Sequence, residues 1–308
     1  MAVHKLARMS LAVSYNEFGG PEVLRVISVD EPHAAAGEVR VAVRTAGVNA
    51  YEYKVRRGGY GGPHALPSRQ GYEFAGVVDE VGEGVTDVSP GDEVLGFAST
   101  GAQAEFVTVA AKNVAHKPGS LDWAVAGGIG LVGNAARRST DSLALTADDT
   151  VIVTAAAGGV GLLAAQFAVA AGATVIGTAS ERNHDFLRSI GAVPVSYGDG
   201  QLERLRAAAP DGYTAMLDNA GADSVRLGLD LGIPAARVNS IVDYDTPGIS
   251  NVGGGRKNRE ELDTLARGAA NGEIVFPILA TYPLARVVEA YRRMEQRNGL
   301  GKIVLTVD

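Results

Sequence analysis

The 308-residue sequence contains no cysteine, which excludes disulfides, thiolate metal sites and cysteine nucleophiles together. It lacks an excess of positive charge. The net charge of −7 argues against nucleic acid or an anionic membrane surface as a partner, because nothing draws phosphates in overall. No apolar run approaches the roughly 20 residues of a membrane span. The opening segment MAVHKLARMS has basic residues but no apolar core, so it does not read as a secretory signal. Histidine is sparse. His4, His33, His64, His116 and His184 are scattered and show no ligand spacing. There is no internal repeat and no low-complexity segment. These absences leave a soluble, cytoplasmic globular protein as the expectation, and the length favours two domains.

Glycine is abundant, at 40 residues, as suits a fold with many tight turns. The informative stretch is Val151–Gly161, VIVTAAAGGVG. Val151–Thr154 is a short β-branched run with the composition of a buried parallel strand. Ala155-x-x-Gly158-x-x-Gly161 follows, and then Leu162–Ala171, an apolar run of good helix formers. A strand, a glycine turn and a helix in that order form the setting in which a dinucleotide pyrophosphate is bound. Gly158 allows close backbone approach, Gly161 allows the helix to pack on the strand, and the helix N-terminus offers free N–H groups. Ala156, Gly158, Gly159, Val160 and Gly161 are the expected cofactor contacts in this turn, with Asn219 at the end of the fourth strand.

Around this stretch the chain divides in texture. Short strands at Leu11–Tyr15, Glu38–Thr45, Phe74–Val81, Asp92–Gly96 and Ala104–Val109 carry turn signals about every ten residues, which suggests a partly antiparallel, barrel-like domain. Residues 1–8 read as an appendage. Asp122–Leu143 is alanine-rich and reads as a helix. Strands are then expected at 151–154, 173–178, 193–197, 213–218 and 237–242. Helices fall between them at about 160–171, 183–190, 201–209 and 223–231. This is the pattern of a doubly wound parallel sheet. A helix over Glu260–Ala270, the apolar segment Ile274–Leu279, a helix over Leu284–Gln296 and a last strand Lys302–Val307 close the chain. That last strand is expected to return to the first domain.

The second parallel strand ends Gly177-Thr178-Ala179-Ser180, followed by Glu181 and Arg182. A serine at the strand end with a nearby guanidinium suits a ribose 2′-phosphate, so Ser180 and Arg182 favour NADPH. Glu181 at that strand end would instead favour NAD. Tyr197, at the end of the third strand, is placed to reach the adenosine side.

Several segments together resemble the zinc-independent quinone oxidoreductases of the medium-chain dehydrogenase/reductase superfamily. They are EFGGPEVL at 17–24, AGVNAYEYKVRRG at 46–58, GYEFAGVVDEVGEGV at 71–85, GDEVLGF at 91–97, AAAGGVG at 155–161 and GKIVLTVD at 301–308. The resemblance covers nearly the whole chain from Met9 onward. It implies an α/β protein with a GroES-like β-rich catalytic domain (1–120 and 274–308) and a Rossmann doubly wound parallel-sheet domain that binds NADP (121–273). It further implies a homodimer, and a cleft in which NADPH reduces quinones or the C=C bond of α,β-unsaturated carbonyls. The zinc-using branch of the superfamily has a cysteine where this chain has Asn49 and a histidine where it has Tyr72, so no metal is expected.

By the same resemblance Asn49, Lys54 and Tyr60 are the candidate donors to the substrate oxygen, where negative charge develops during hydride transfer. Tyr53, Tyr60 or water would supply the proton. Relatives carry a threonine between the domains that contacts the nicotinamide. This chain reads GGIGLVGNA at 127–135, and Asn134 is the candidate replacement, since an amide can both donate and accept. The glycine-bearing loop at 243–256 is expected near the cleft. Two alternatives share the same motifs: a tailoring enoyl reductase with a private biosynthetic substrate, and a low-turnover NADPH-binding sensor or scaffold.

Overall fold

A computed structural model describes residues 8–59, 65–253 and 259–307. The N-terminal region contains β1 (Met9–Tyr15), β2 (Arg25–Asp30), β3 (Glu38–Val48), α1 (Ala50–Arg56), β4 (Ser68–Arg69), β5 (Glu73–Val81), β6 (Glu93–Phe97), β7 (Phe106–Ala110) and β8 (Val114–His116). Most of these follow the alternation read from the sequence, with Val39, Val41 and Val43 of β3 pointing into the core. Four elements, β2, α1, the two-residue β4 and β8, are not evident in the sequence. β2 is a surface strand with no fully buried residue, so its apolar pattern is weak. β8 is only three residues long. α1 starts in a capping box, in which Glu52 accepts from the Asn49 backbone N–H at 2.8 Å.

The chain then forms α2 (Trp123–Asp141), β9 (Thr150–Val153), α3 (Gly159–Ala170), β10 (Thr174–Thr178), α4 (His184–Ser189), β11 (Val193–Val195), α5 (Gln201–Ala208), β12 (Ala215–Asp218), α6 (Ala222–Asp230), β13 (Val238–Ser240) and α7 (Arg259–Ala270). β9–β13 make a five-stranded parallel sheet in the order β11-β10-β9-β12-β13. Apolar clusters cover both of its faces. One unites α2, α3 and α7 with the sheet, and the other gathers Ile152, Ile176, Met216 and Val238.

The C-terminal segment supplies β14 (Ile278–Pro283), α8 (Val287–Glu295) and β15 (Lys302–Thr306). The apolar segment expected at Ile274–Leu279 enters its strand only at Ile278. As expected, the last strand returns: β15 pairs antiparallel with β3 and completes the sheet β14-β15-β3-β5-β6-β8, with β7 also on β3. No helix among the described residues is long and apolar enough to cross a membrane.

Helix α2 connects the two halves. Asp122 caps it, accepting from Ala124 N at 2.8 Å and Val125 N at 3.4 Å. Its glycines are set by close approach. A Cβ on Gly127 would lie 2.3 Å from Thr45 Oγ1, and one on Gly128 would lie 3.0 Å from Lys302 Cγ. The helix therefore presses directly on β3 and β15. Alanine at position 127 improves helix propensity by about 1 kcal/mol but overpacks this contact. Gly127→Ala is expected to lower stability by about 1–3 kcal/mol in urea unfolding. Gly119→Ala, at a site with open space around it, is expected to leave the midpoint unchanged.

Candidate active site

The nucleotide turn has the geometry its sequence requires. Ala155 holds a left-handed φ of 48°, and its carbonyl accepts from Gly158 N at 2.9 Å. A Cβ on Gly161 would lie 2.3 Å from that carbonyl, so only glycine lets α3 start here. A Cβ on Gly158 would lie 3.3 Å from the same carbonyl, a tight contact that a bare glycine backbone avoids. Gly158 is the N-cap, and Gly159, Val160 and Gly161 present the first-turn N–H groups. Ala156 is fully buried, and its N–H is taken by Thr178 O at 2.9 Å. This cradle fits a pyrophosphate.

Asp218, at the end of β12, anchors the neighbouring strand ends. Its buried carboxylate accepts from Thr154 Oγ1 (2.7 Å), Ser240 Oγ (2.6 Å), the N–H groups of Ala220 and Gly221 (both 3.1 Å), and Ser224 Oγ. Asn219 is drawn inward. Its Nδ2 donates to Thr154 O at 3.0 Å, so this side chain holds the β9 end in place.

At the adenosine side, β10 ends at Thr178 and Ser180 caps the following turn, with Glu181 and Arg182 both exposed. Tyr197 is exposed two residues past β11. The loop that carries it is gripped by Arg204, whose guanidinium donates to Ser196 O at 2.9 Å and Asp199 O at 2.8 Å. A groove of about 570 Å³ lies beside this loop, between Gly198–Glu203 and Ala220–Leu227. A second hollow, of about 420 Å³, is lined by Phe18, Gly19, Gly20, Glu22 and Arg57, none of them an expected site residue.

Beyond the nucleotide turn lies a buried polar cluster. Asn49 donates from Nδ2 to Glu73 Oε1 at 2.8 Å and to Glu52 Oε1 at 3.3 Å, and its Oδ1 accepts from Lys302 Nζ. Lys302 also pairs with Glu73 Oε1 at 2.8 Å. Glu73 Oε2 accepts the Leu131 N–H of α2 at 2.7 Å. Tyr291 donates to Glu52 Oε2 at 2.5 Å and accepts from Gln70 (2.8 Å) and Gln103 (2.9 Å). Glu52, Glu73 and Lys302 are each at most 3% exposed.

Sequence reasoning found Asn49 in this cluster and missed Glu52, Glu73, Lys302, Gln103 and Tyr291. The usable signals were the Asn-x-x-Glu spacing of the cap and the quoted segments GYEFAG and GKIVL. Tyr53 faces a different neighbour. Tyr53 OH accepts from Arg297 at 3.1 Å, and burial together with Arg297 holds the Lys54 ammonium below its ordinary value. Tyr72 packs edge-on to Tyr51 with ring centroids 5.1 Å apart, and burial pushes its phenol upward. Asn134 is buried and donates to Glu261 of α7. Tyr60, residues 254–256 of the segment 243–256, and residues 1–7 lie outside the described residues. Among the described residues no group of three or more His, Cys, Asp or Glu could hold a metal ion.

A GroES-like β domain joined to a Rossmann domain through one shared helix defines a class of two-domain oxidoreductases. Residues 35–119 match the alcohol dehydrogenase GroES-like domain, and residues 129–305 match the family described as zinc-binding dehydrogenase. The chain is similar to the NADPH-dependent alkenal/one oxidoreductase of Arabidopsis thaliana chloroplasts, 29% identical over 94% of this chain and 78% of that protein. It is 34% identical to part of the polyketide synthase GfsB of Streptomyces halstedii, a match over 88% of this chain that spans only 5% of the synthase. Its fold is close to that of a quinone oxidoreductase from Coxiella burnetii, with a TM-score of 0.88, 28% identity, and coverage of 98% of this chain and all of the other. The chain belongs to the quinone oxidoreductase family of the medium-chain dehydrogenase/reductase superfamily.

Lys302 is the only cation bonded to Asn49 and Glu73 among the described residues. Removing it leaves a buried carboxylate uncompensated. Lys302→Met is expected to cost about 3–5 kcal/mol in urea unfolding. Adding Glu73→Gln is expected to restore more than half of that loss, and a strictly additive double mutant would show that the pair is not coupled.

Proposed function

We propose that the protein is an NADPH-dependent, zinc-independent reductase of quinones or of the C=C bond of α,β-unsaturated carbonyls. The observation that carries this reading is the cluster around Asn49. Asn49 and Tyr72 stand at the two positions where the zinc-using branch has metal ligands. The positive charge bonded to Asn49 and Glu73 is the chain's own lysine. The alkenal/one oxidoreductase similarity supports the same reaction class.

When bound, a nicotinamide dinucleotide supplies the hydride. The residues of the chain do the rest. Gly158–Gly161 hold the pyrophosphate by backbone N–H groups. Ser180 and Arg182 take the 2′-phosphate, and Tyr197 flanks the adenosine. Lys54 and Tyr60 donate to the substrate oxygen as negative charge builds there, with Asn49 holding the floor of the site. Tyr60 or water returns a proton to the carbon left as an enolate, and a reduced quinone takes its protons at oxygen. Asn134 serves the nicotinamide side from α2 when its bond to Glu261 opens.

The polyketide synthase match favours a second reading, a tailoring enoyl reductase with the same chemistry on a biosynthetic thioester. NADPH oxidation against a benzoquinone, an enal, a cyclic enone and an enoyl thioester separates the two. The thioester alone turning over selects the second reading. NADPH binding without any turnover would remove both, as would activity abolished by a chelator and restored by zinc. For the cofactor, Arg182→Ala is expected to weaken NADPH binding by about 1.5–3 kcal/mol and to leave NADH nearly unchanged. Equal losses for both would remove Arg182 from the phosphate site.

A further inference from the structure

We propose that Glu52 and Tyr291 are positioning residues for Asn49: the proton on the Glu52 carboxyl decides how tightly the Asn49 amide is held, and so the pH range in which the site turns over. This rests on the reductase reading. Neither side chain lies at the surface. Glu52 is 1% exposed, and Tyr291 is fully buried.

The argument begins with charge. Two carboxylates, Glu52 and Glu73, share one amide inside the protein, and the one ammonium beside them pairs with Glu73. Glu73 has the ammonium at 2.8 Å and a helix N–H at 2.7 Å. Glu52 has only neutral partners: Asn49 N (2.8 Å), Asn49 Nδ2 (3.3 Å), Tyr291 OH (2.5 Å) and Gln103 Nε2 (3.4 Å). The second negative charge therefore has no counter-charge in contact. A buried charge in that position is relieved by taking up a proton.

The hydrogen-bond inventory points the same way. Gln103 Oε1 is buried with no donor, next to a carboxyl that its own Nε2 already touches. A proton on Glu52 adds a donor to a cluster that is short of one. The titratable and charged groups around Glu52 are Tyr291 from α8, Lys302 from β15, Glu73 and Tyr72 from β5 and its entry, and Arg56 from α1. The Arg56 guanidinium lies 4.6 Å from the Tyr291 ring centre. Burial dominates this balance. It pushes the Glu52 carboxyl up to about 7, against the hydrogen bonds from Tyr291 and Asn49, which favour the charged form.

The consequence for Asn49 is direct. With Glu52 charged, the Asn49 amide nitrogen is shared between two carboxylates. With Glu52 neutral, that nitrogen is held chiefly by Glu73, and one of its hydrogens is released to the site. The neutral form is thus the active one. Activity falls as pH rises through the Glu52 titration, and at one unit above it about one-tenth of the protein keeps the proton.

The test is kcat and KM against pH 5.5–9 for the wild-type protein, Glu52→Gln and Tyr291→Phe. It uses whichever quinone or enone is turned over with NADPH. The wild-type kcat is expected to fall about tenfold between pH 6 and 8, with KM little changed. Glu52→Gln carries a permanently neutral group and is expected to show no such fall. Tyr291→Phe removes a donor to the charged form, so its limb is expected to move to higher pH, and it covers the case in which Glu52→Gln fails to fold. A limb that stays in place in both variants, with kcat merely lowered at every pH, would make the pair structural and overturn the proposal. Wild-type protein that turns over no quinone or enone removes the reductase reading and this inference with it. Turnover with an unmoved limb removes this inference alone.

Discussion

The Glu73 carboxylate is the constraint on which the site depends. It sits at the start of β5 and takes bonds from α1 through Asn49, from β15 through Lys302 and from α2 through the Leu131 N–H. A charge buried this deeply is tolerated only when its lone pairs are filled and a counter-charge is in contact. Filling them requires α2 to lie almost against the sheet. That explains why α2 carries glycine at positions facing Thr45 and Lys302, where larger residues would hold it away. The helix that meets this carboxylate also packs on α3, so the polar cluster and the nucleotide turn are positioned by one rigid rod.

A second carboxylate plays a comparable part in the parallel sheet. Asp218 gathers donors from β9, from β13 and from the turn into α6. It fixes the carboxyl ends of three neighbouring strands, the edge at which ligands of such sheets bind. Both centres follow one rule. An acidic side chain at a strand end is satisfied by groups from separate elements and thereby sets their spacing.

What could be read from the sequence divides along this line. The glycine turn, the parallel strands and the alanine-rich bridge are local patterns, and each shows in consecutive residues. The Rossmann half and the returning last strand were legible for that reason. The polar cluster was not, because Asn49, Glu73 and Lys302 become neighbours only when three remote segments meet. Lys302 reads as an ordinary charged residue at a strand start, and Glu52 as one more acid in a charged segment. Tyr53, a candidate proton donor by the resemblance, instead accepts from Arg297, because a helix places successive residues on different faces. β2 escaped notice because an edge strand with no buried side chain lacks the alternation that marks its neighbours.

The return of β15 to β3 also sets an order of events during synthesis. Thr45–Val48 gain the partner on their second side only when Ile303–Thr306 arrive, more than 250 residues later. Glu73 meets its ammonium at the same moment. The half of the protein made first is therefore finished last. Until then its sheet has an open edge and its core a lone acid, while the nucleotide half already holds all five of its own strands. A ribosome stalled before Lys302 would carry a folded Rossmann unit and an unfinished N-terminal one. Loss of the final strand is thus a defect of the N-terminal domain.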